Sequence, residues 1–107
     1  MKKEKEFVTP PNHVGFKAKK LFGTGGQIAD VAVAYIEPNG GGPTELHTHP
    51  HDHLFVVVQG EAKILLNEKA ITVKKDDSFL VDGNIPHSVW NNADTQTVML
   101  GITVTKQ

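Results

Sequence analysis

Turn chemistry interrupts this chain every 8–12 residues or so, and that rhythm constrains its fold more than any other feature. Gly23-Thr24-Gly25-Gly26, Pro38-Asn39-Gly40-Gly41-Gly42-Pro43, Gln59-Gly60-Glu61, Asn67-Glu68-Lys69, Lys74-Lys75-Asp76-Asp77 and Asp82-Gly83-Asn84 separate short apolar runs. Those runs are rich in Val, Ile, Phe and Thr: "QIADVAVAYIE", "HLFVVVQ", "EAKILLN", "AITV", "SFLV", "HSVWN" and "QTVMLGITVT". No window carries a sustained apolar period near 3.6 residues, so helices are not expected. In "QIADVAVAYIE", Val31, Val33 and Tyr35 share one strand face and Ala32, Ala34 and Ile36 the other, as in a strand covered on both sides. The lysine-rich "FKAKKLF" suits an edge strand, because lysines discourage edge-to-edge pairing. The pattern predicts about eight strands in an all-β sandwich or barrel. Residues 1–15 read as an extended lead-in, with Thr9-Pro10-Pro11-Asn12 unable to join a ladder, and residues 16–107 as a single barrel domain.

Charge and composition remove several classes of function. Formal net charge is −1 and no basic stripe occurs, so the electrostatic footprint of a nucleic-acid binder is missing. No apolar run approaches the roughly 18 residues of a membrane span, and Met1-Lys2-Lys3-Glu4-Lys5-Glu6 lacks the apolar stretch of a secretory signal. With no cysteine, disulfides, thiolate metal sites and cysteine nucleophiles are excluded; a cytoplasmic location is the expectation. Ser78 and Ser88 lack the strand–turn–helix setting of a nucleophile elbow. Gly40-Gly41-Gly42 is followed by neither Lys-Ser/Thr nor a helix, so it reads as a bend rather than a phosphate loop.

Of the six histidines, four fall within seven residues: His47, His49, His51 and His53. Alternate residues of a strand share a face, so Glu45, His47 and His49 are expected to point the same way. Two imidazoles spaced in this way can reach one ion at about 2.0–2.1 Å from each ring nitrogen. Pro50 interrupts the alternation, His51 and Asp52 then occupy a bend, and His53 re-enters at the start of "LFVVV". His87 lies far along the chain, after Pro86. His13, beside the Pro-Pro segment, reads as a surface residue. A solvated histidine-rich loop that scavenges metal adventitiously is the competing reading.

The spacing of these residues resembles that of the cupins, small barrels with two separated motifs. Their first motif is Gly, five residues, His-x-His, three or four residues, Glu, six residues, Gly. Here Gly41 is followed by five residues, His47-Thr48-His49, three residues, His53 in place of Glu, six residues and Gly60. The second motif is Gly, five residues, Pro-x-Gly, two residues, His, three residues, Asn. It falls on Asp76, Asp82, Asn84, His87 and Asn91 without a gap, with Asp76, Asp82 and Asn84 replacing Gly, Pro and Gly. Asn84, beside Gly83, is expected to take the left-handed conformation of the turn.

The resemblance implies a cupin-type jelly-roll barrel, or double-stranded β-helix, binding one divalent transition ion. Carried over position by position, the ligands would be His47, His49, His53 and His87, four neutral imidazoles where the family usually has three and a carboxylate. A three-histidine face results if His53 does not reach. Neutral nitrogen donors suit Zn, Cu, Ni or Fe and discriminate against Mg and Ca; the resemblance to small four-histidine cupins adds Mn. Glu45 is the candidate proton-transfer residue, and Tyr35, Phe55, Phe79, Val89 and Trp90 are candidates for an apolar substrate pocket. Three functions follow: dioxygenase-type oxidation of a small organic substrate, a non-catalytic metal-dependent sensor of a small molecule, and redox-neutral isomerase or lyase chemistry through Glu45. A homodimer is expected, as is common in this family.

Overall fold

The computed structural model describes residues 6–106, and among them it contains eight β-strands and no helix. The strands are β1 (Val14–Phe22), β2 (Ile28–His47), β3 (Asp52–Gln59), β4 (Glu61–Leu66), β5 (Lys69–Lys74), β6 (Ser78–Val81), β7 (His87–Asn91) and β8 (Thr97–Val104). They run β5-β4-β7-β2-β8-β3-β6 across one sheet, with β1 added onto β2, and every pairing is antiparallel. The sheet curls into a nearly closed barrel. As the lysine pattern predicts, β1 pairs with β2 alone among the named strands.

One expectation is corrected. Pro38–Pro43 does not end a strand; β2 runs through it for 20 residues. The turn residues bend the strand instead of stopping it. Its first half pairs with β1 and β8 as far as Ile36, and its second half pairs with β7 at Gly41, Gly42 and His47. Asn39 sits at φ 65° and Gly42 at φ 151°, backbone regions that bulky residues avoid. Gly42 is also required sterically, since a Cβ there would meet the His13 ring at 2.7 Å. The bend therefore carries one strand from one wall of the barrel to the other.

Alternation then decides what faces inward. Ile36, Val57, Ile64, Val81, Val89 and Met99 are at most 4% exposed and belong to one buried apolar cluster. The N-terminal segment is not a free lead-in. Val8 and Ala18 exchange both backbone hydrogen bonds at 2.8 Å, and the Thr44 N–H donates to the Asn12 carbonyl at 2.9 Å. Residues 1–5 of the expected lead-in lie outside the described residues.

The left-handed turn position is also reassigned. Asp76, at the motif's first Gly position, takes φ 69°, whereas Asn84 does not adopt a positive φ. Instead the Asn84 N–H donates to Asp82 Oδ1 at 2.9 Å, closing an Asx turn.

Asn91 closes the second motif and locks a buried corner. Its Nδ2 donates to the carbonyls of Ile36 and Thr95, both at 2.8 Å, while its Oδ1 accepts from the Ala93 N–H and the Thr97 hydroxyl. The amide is thus fully satisfied in a residue only 8% exposed. Asn91→Ala is expected to cost about 2–4 kcal/mol, because it orphans several buried groups at once. Urea titration should show the midpoint falling with an unchanged slope; a midpoint equal to wild type would remove Asn91 from the framework.

Candidate metal centre

Register brings the two motifs together. His47, the last residue of β2, lies directly opposite His87, the first residue of β7, and their ring centroids are 4.7 Å apart. His49, two residues past the strand, folds back so that its ring lies 5.1 Å from His47 and 4.7 Å from His87. Ring nitrogens of these three residues lie within 4.8 Å of one another, close enough to share an ion.

Two of the three rings have their tautomer fixed. The His87 Nδ1 is 2.7 Å from the Ile85 carbonyl, and the His49 Nδ1 is 2.7 Å from the His51 carbonyl. A carbonyl oxygen can only accept, so each Nδ1 carries the proton and each Nε2 keeps its lone pair. That is the arrangement of a metal-ligating imidazole, whose far nitrogen donates to a backbone carbonyl. Among the described residues, His49 Nε2 is the one buried side-chain polar atom with no hydrogen-bond partner. An orphaned buried acceptor is costly unless something binds it, and a cation fits this one.

The His49 ring is held from below as well. Its backbone N–H donates to the Gly83 carbonyl at 2.9 Å, and the Gly83 N–H donates to Asp52 Oδ1 at 3.1 Å. Lys106 bridges Asp52 at 3.0 Å and Asp82 at 2.9 Å, tying the two turns together. Gly83 is irreplaceable by size, since a Cβ there would collide with the His51 carbonyl and the His49 ring.

His53 takes a different place from the one expected. Its ring is 4.6 Å from His49 but 6.2 Å from His87, and it converges on a second set with His49 and His51. The Pro50–His51 bend puts His53 on β3, which pairs with β6 and β8 and not with β7. That second set is poorly built for an ion. His49 and His51 stack at 4.0 Å with planes 10° apart, so their in-plane lone pairs run parallel and cannot meet at one point. His51 serves His49 instead, through its carbonyl and its ring face.

Burial pushes the His53 imidazole down to about 3, with the neighbouring His49 and His51 rings adding to the effect. Burial also holds His47 and His87 below the ordinary value of 6.5. The shifts favour the neutral form of His47, His53 and His87, the form that binds metal.

A cavity of about 260 Å³ opens beside these rings, bordered by His47, His53 and His87. It exists because the inward positions nearby are small: Ala18, Ala32, Ala34, Gly42 and Gly101. Phe55 and Val89 line it. Tyr35 does not; it lies on the opposite face of β2 from Ala34 and borders a separate surface hollow with Phe7 and Lys17. Trp90 shares the outer face of β7 with Ser88, to which its indole N–H donates at 2.9 Å. Phe79 pairs across from Phe55 and packs on the core without reaching the cavity. Glu45 is exposed and contributes nothing to the cavity wall, because the strand is irregular between Gly42 and His47 and simple alternation fails there.

His13 is the residue that sequence reasoning missed. It is half-buried and lines the cavity, because the N-terminal segment folds over Gly42. No local pattern marks it; only the long-range contact does.

The family comparison agrees with this geometry. The model of the cupin domain family matches residues 32–103. The chain belongs to the cupin family. No curated protein matches the sequence. Among solved structures, a cupin-like protein from Thermotoga maritima superposes with a TM-score of 0.79 at 21% identity, covering 97% of this chain and 80% of that one. The polyketide cyclase RemF from Streptomyces resistomycificus gives 0.76 at 20% identity, covering 96% and 74%. The cupin domain of an XRE family transcriptional regulator from Enterobacter cloacae gives 0.76 at 17%, covering 88% and 100%. At these identities the likeness extends to the fold alone.

Two measurements check this cupin's site. His53 is neutral when folded and titrates near 6.5 when unfolded, so the unfolded state takes up protons first as pH falls. The stability of metal-free protein is therefore complete above pH 6.5 and lost progressively below it, towards pH 3. Urea midpoints at pH 8 and pH 5 should show this, and His53→Phe should flatten the slope; a wild-type midpoint independent of pH would contradict the buried neutral ring. Gly83→Ala is expected to destabilise by about 1–3 kcal/mol through overpacking, read as a lower midpoint in the same titration.

Proposed function

We propose that this cupin binds one divalent transition ion (Mn, Fe, Ni, Cu or Zn) through His47, His49 and His87, with His53 flanking, and acts on a small organic substrate in the adjoining cavity. The observation that carries the proposal is the buried, unpartnered Nε2 of His49 where three imidazoles converge. When bound, a redox-active ion supplies the one-electron chemistry of a dioxygenase-type oxidation, which no side chain here supplies. The chain's own part is to hold. The Ile85 and His51 carbonyls fix two rings in the ligating tautomer, and the apolar wall of Phe55, Val89 and Met99 keeps water from the bound substrate.

Redox-neutral isomerase or lyase chemistry through Glu45 is disfavoured, since that carboxylate is exposed outside the cavity. A non-catalytic sensor is the second reading. It draws support from the cupin domain of a transcriptional regulator among the structural neighbours, a protein of shared fold only.

Mass spectrometry of protein purified without a histidine tag tests the site. Wild type should carry about one transition ion per chain, and His49→Ala and His87→Ala less than a tenth of that. His53→Ala should keep the ion with affinity weakened roughly 10–100-fold, as for residues that support ligands. Metal content unaffected by His49→Ala would defeat the proposal. If the ion is redox-active, oxygen uptake with small enols or diketones separates the enzyme from the sensor.

A further inference from the structure

The cavity has an unusual charge inventory. The chain contains no arginine, and among the described residues no lysine borders the cavity. Asp30 is the one carboxylate in the lining among the described residues, and it already faces Lys20 at 3.9 Å. Away from the imidazoles, Asp30 and Thr103, the wall is apolar, with Phe16, Ala18, Ala34, Phe55, Val89 and Met99 its main side chains. A ligand with an anionic group at that end would lose its hydration with no cation to receive it. At about 260 Å³ the space also lies below the roughly 300–1,000 Å³ of drug-sized pockets, enough for a single ring or a short chain.

Apart from the metal-side rings, the cavity has one further imidazole. His13 Nδ1 lies 2.8 Å from the Pro11 carbonyl, so Nδ1 is the donor and Nε2 is left as an acceptor. The ring is braced edge-to-face on Phe16 at 4.6 Å, and Gly42 leaves room for it. The segment bearing it is pinned by the Asn12–Thr44 and Val8–Ala18 backbone bonds. Held in this way, the His13 ring can accept a hydrogen bond from a hydroxyl group through Nε2, on a wall whose other polar residues away from the metal-side rings are Thr103 and the Lys20-paired Asp30.

We propose that the cavity takes an uncharged, mainly hydrocarbon molecule of single-ring size bearing a hydroxyl, and that His13 is the specificity-determining residue that accepts that hydroxyl's hydrogen bond. This rests on the cavity being the ligand side of the proposed metal centre, but it is tested independently of the ion.

The probes are 4-ethylphenol, its methyl ether, which cannot donate, and 4-ethylbenzoate, which is anionic. Each is titrated into metal-free and zinc-loaded protein and followed by NMR chemical shifts, with zinc stoichiometry measured on the same samples. Wild type should bind the phenol at least tenfold more tightly than the ether or the benzoate. His13→Phe, which keeps the packing on Phe16, should erase the preference for phenol over ether while leaving ether affinity and zinc stoichiometry unchanged. Ala34→Leu, which fills the cavity, should abolish binding of all three and leave zinc in place. Equal losses for phenol and ether in His13→Phe would overturn the assignment of His13, and tighter binding of the benzoate would overturn the ligand class. Loss of zinc binding with the phenol preference intact would defeat the metal centre alone; zinc retained without that preference would defeat this inference alone.

Discussion

The barrel and its site both depend on β2 passing its bend without ending. Asn39 and Gly42 accept backbone conformations closed to most residues, and the strand crosses from the wall it shares with β1 and β8 to the wall it shares with β7. The hydrogen-bonded register then leaves little freedom. Once Gly41 and Gly42 face Trp90 and Val89, His47 arrives opposite His87, and residues 40 positions apart in the chain become neighbours. The same bend leaves the hollow at Gly42 into which the N-terminal segment folds, delivering His13.

Convergence of imidazoles alone would be unfavourable if they were charged, and the surroundings prevent that. Partial or full desolvation favours the neutral forms of His47, His53 and His87, and backbone carbonyls accept hydrogen bonds from the Nδ1–H groups of His49 and His87. Lone pairs are therefore presented on a frame that does not need to reorganise. The Lys106–Asp52–Gly83 chain of contacts extends that frame to the C-terminal residues, so the turn beneath His49 is tied to an element far from it in sequence.

The cavity and the core are made from the same inward-facing rows. Large buried residues such as Ile36 and Ile64 fill part of the barrel, while Ala32, Ala34 and Gly101 leave space beside the histidines. A close-packed interior would be worth more in stability. Small residues conceding that packing next to neutral imidazoles suit a chamber for a small molecule.

The order of strands along the chain was legible because period-two apolar runs and turn residues are local signals, and seven of the eight strands fall where those signals lie. β2 was misjudged because Gly and Pro mark both a bend and a break, and only cross-strand hydrogen bonds decide between them. His47, His49 and His87 could be singled out by their spacing, but where a ring ends up after Pro50 depends on which strand its segment joins. That put His53 on β3, beside His49 and away from His87, and set the His51 carbonyl against His49 Nδ1. Glu45, Tyr35 and Trp90 lie off the cavity and His13 lies on it for the same reason: inward and outward are properties of the closed barrel, not of a residue's neighbours in sequence. The sequence by itself determined an all-β cupin with its histidines in two motifs. Tertiary structure decided which rings converge and which residues face the cavity, because both depend on hydrogen-bond register between strands distant in the chain.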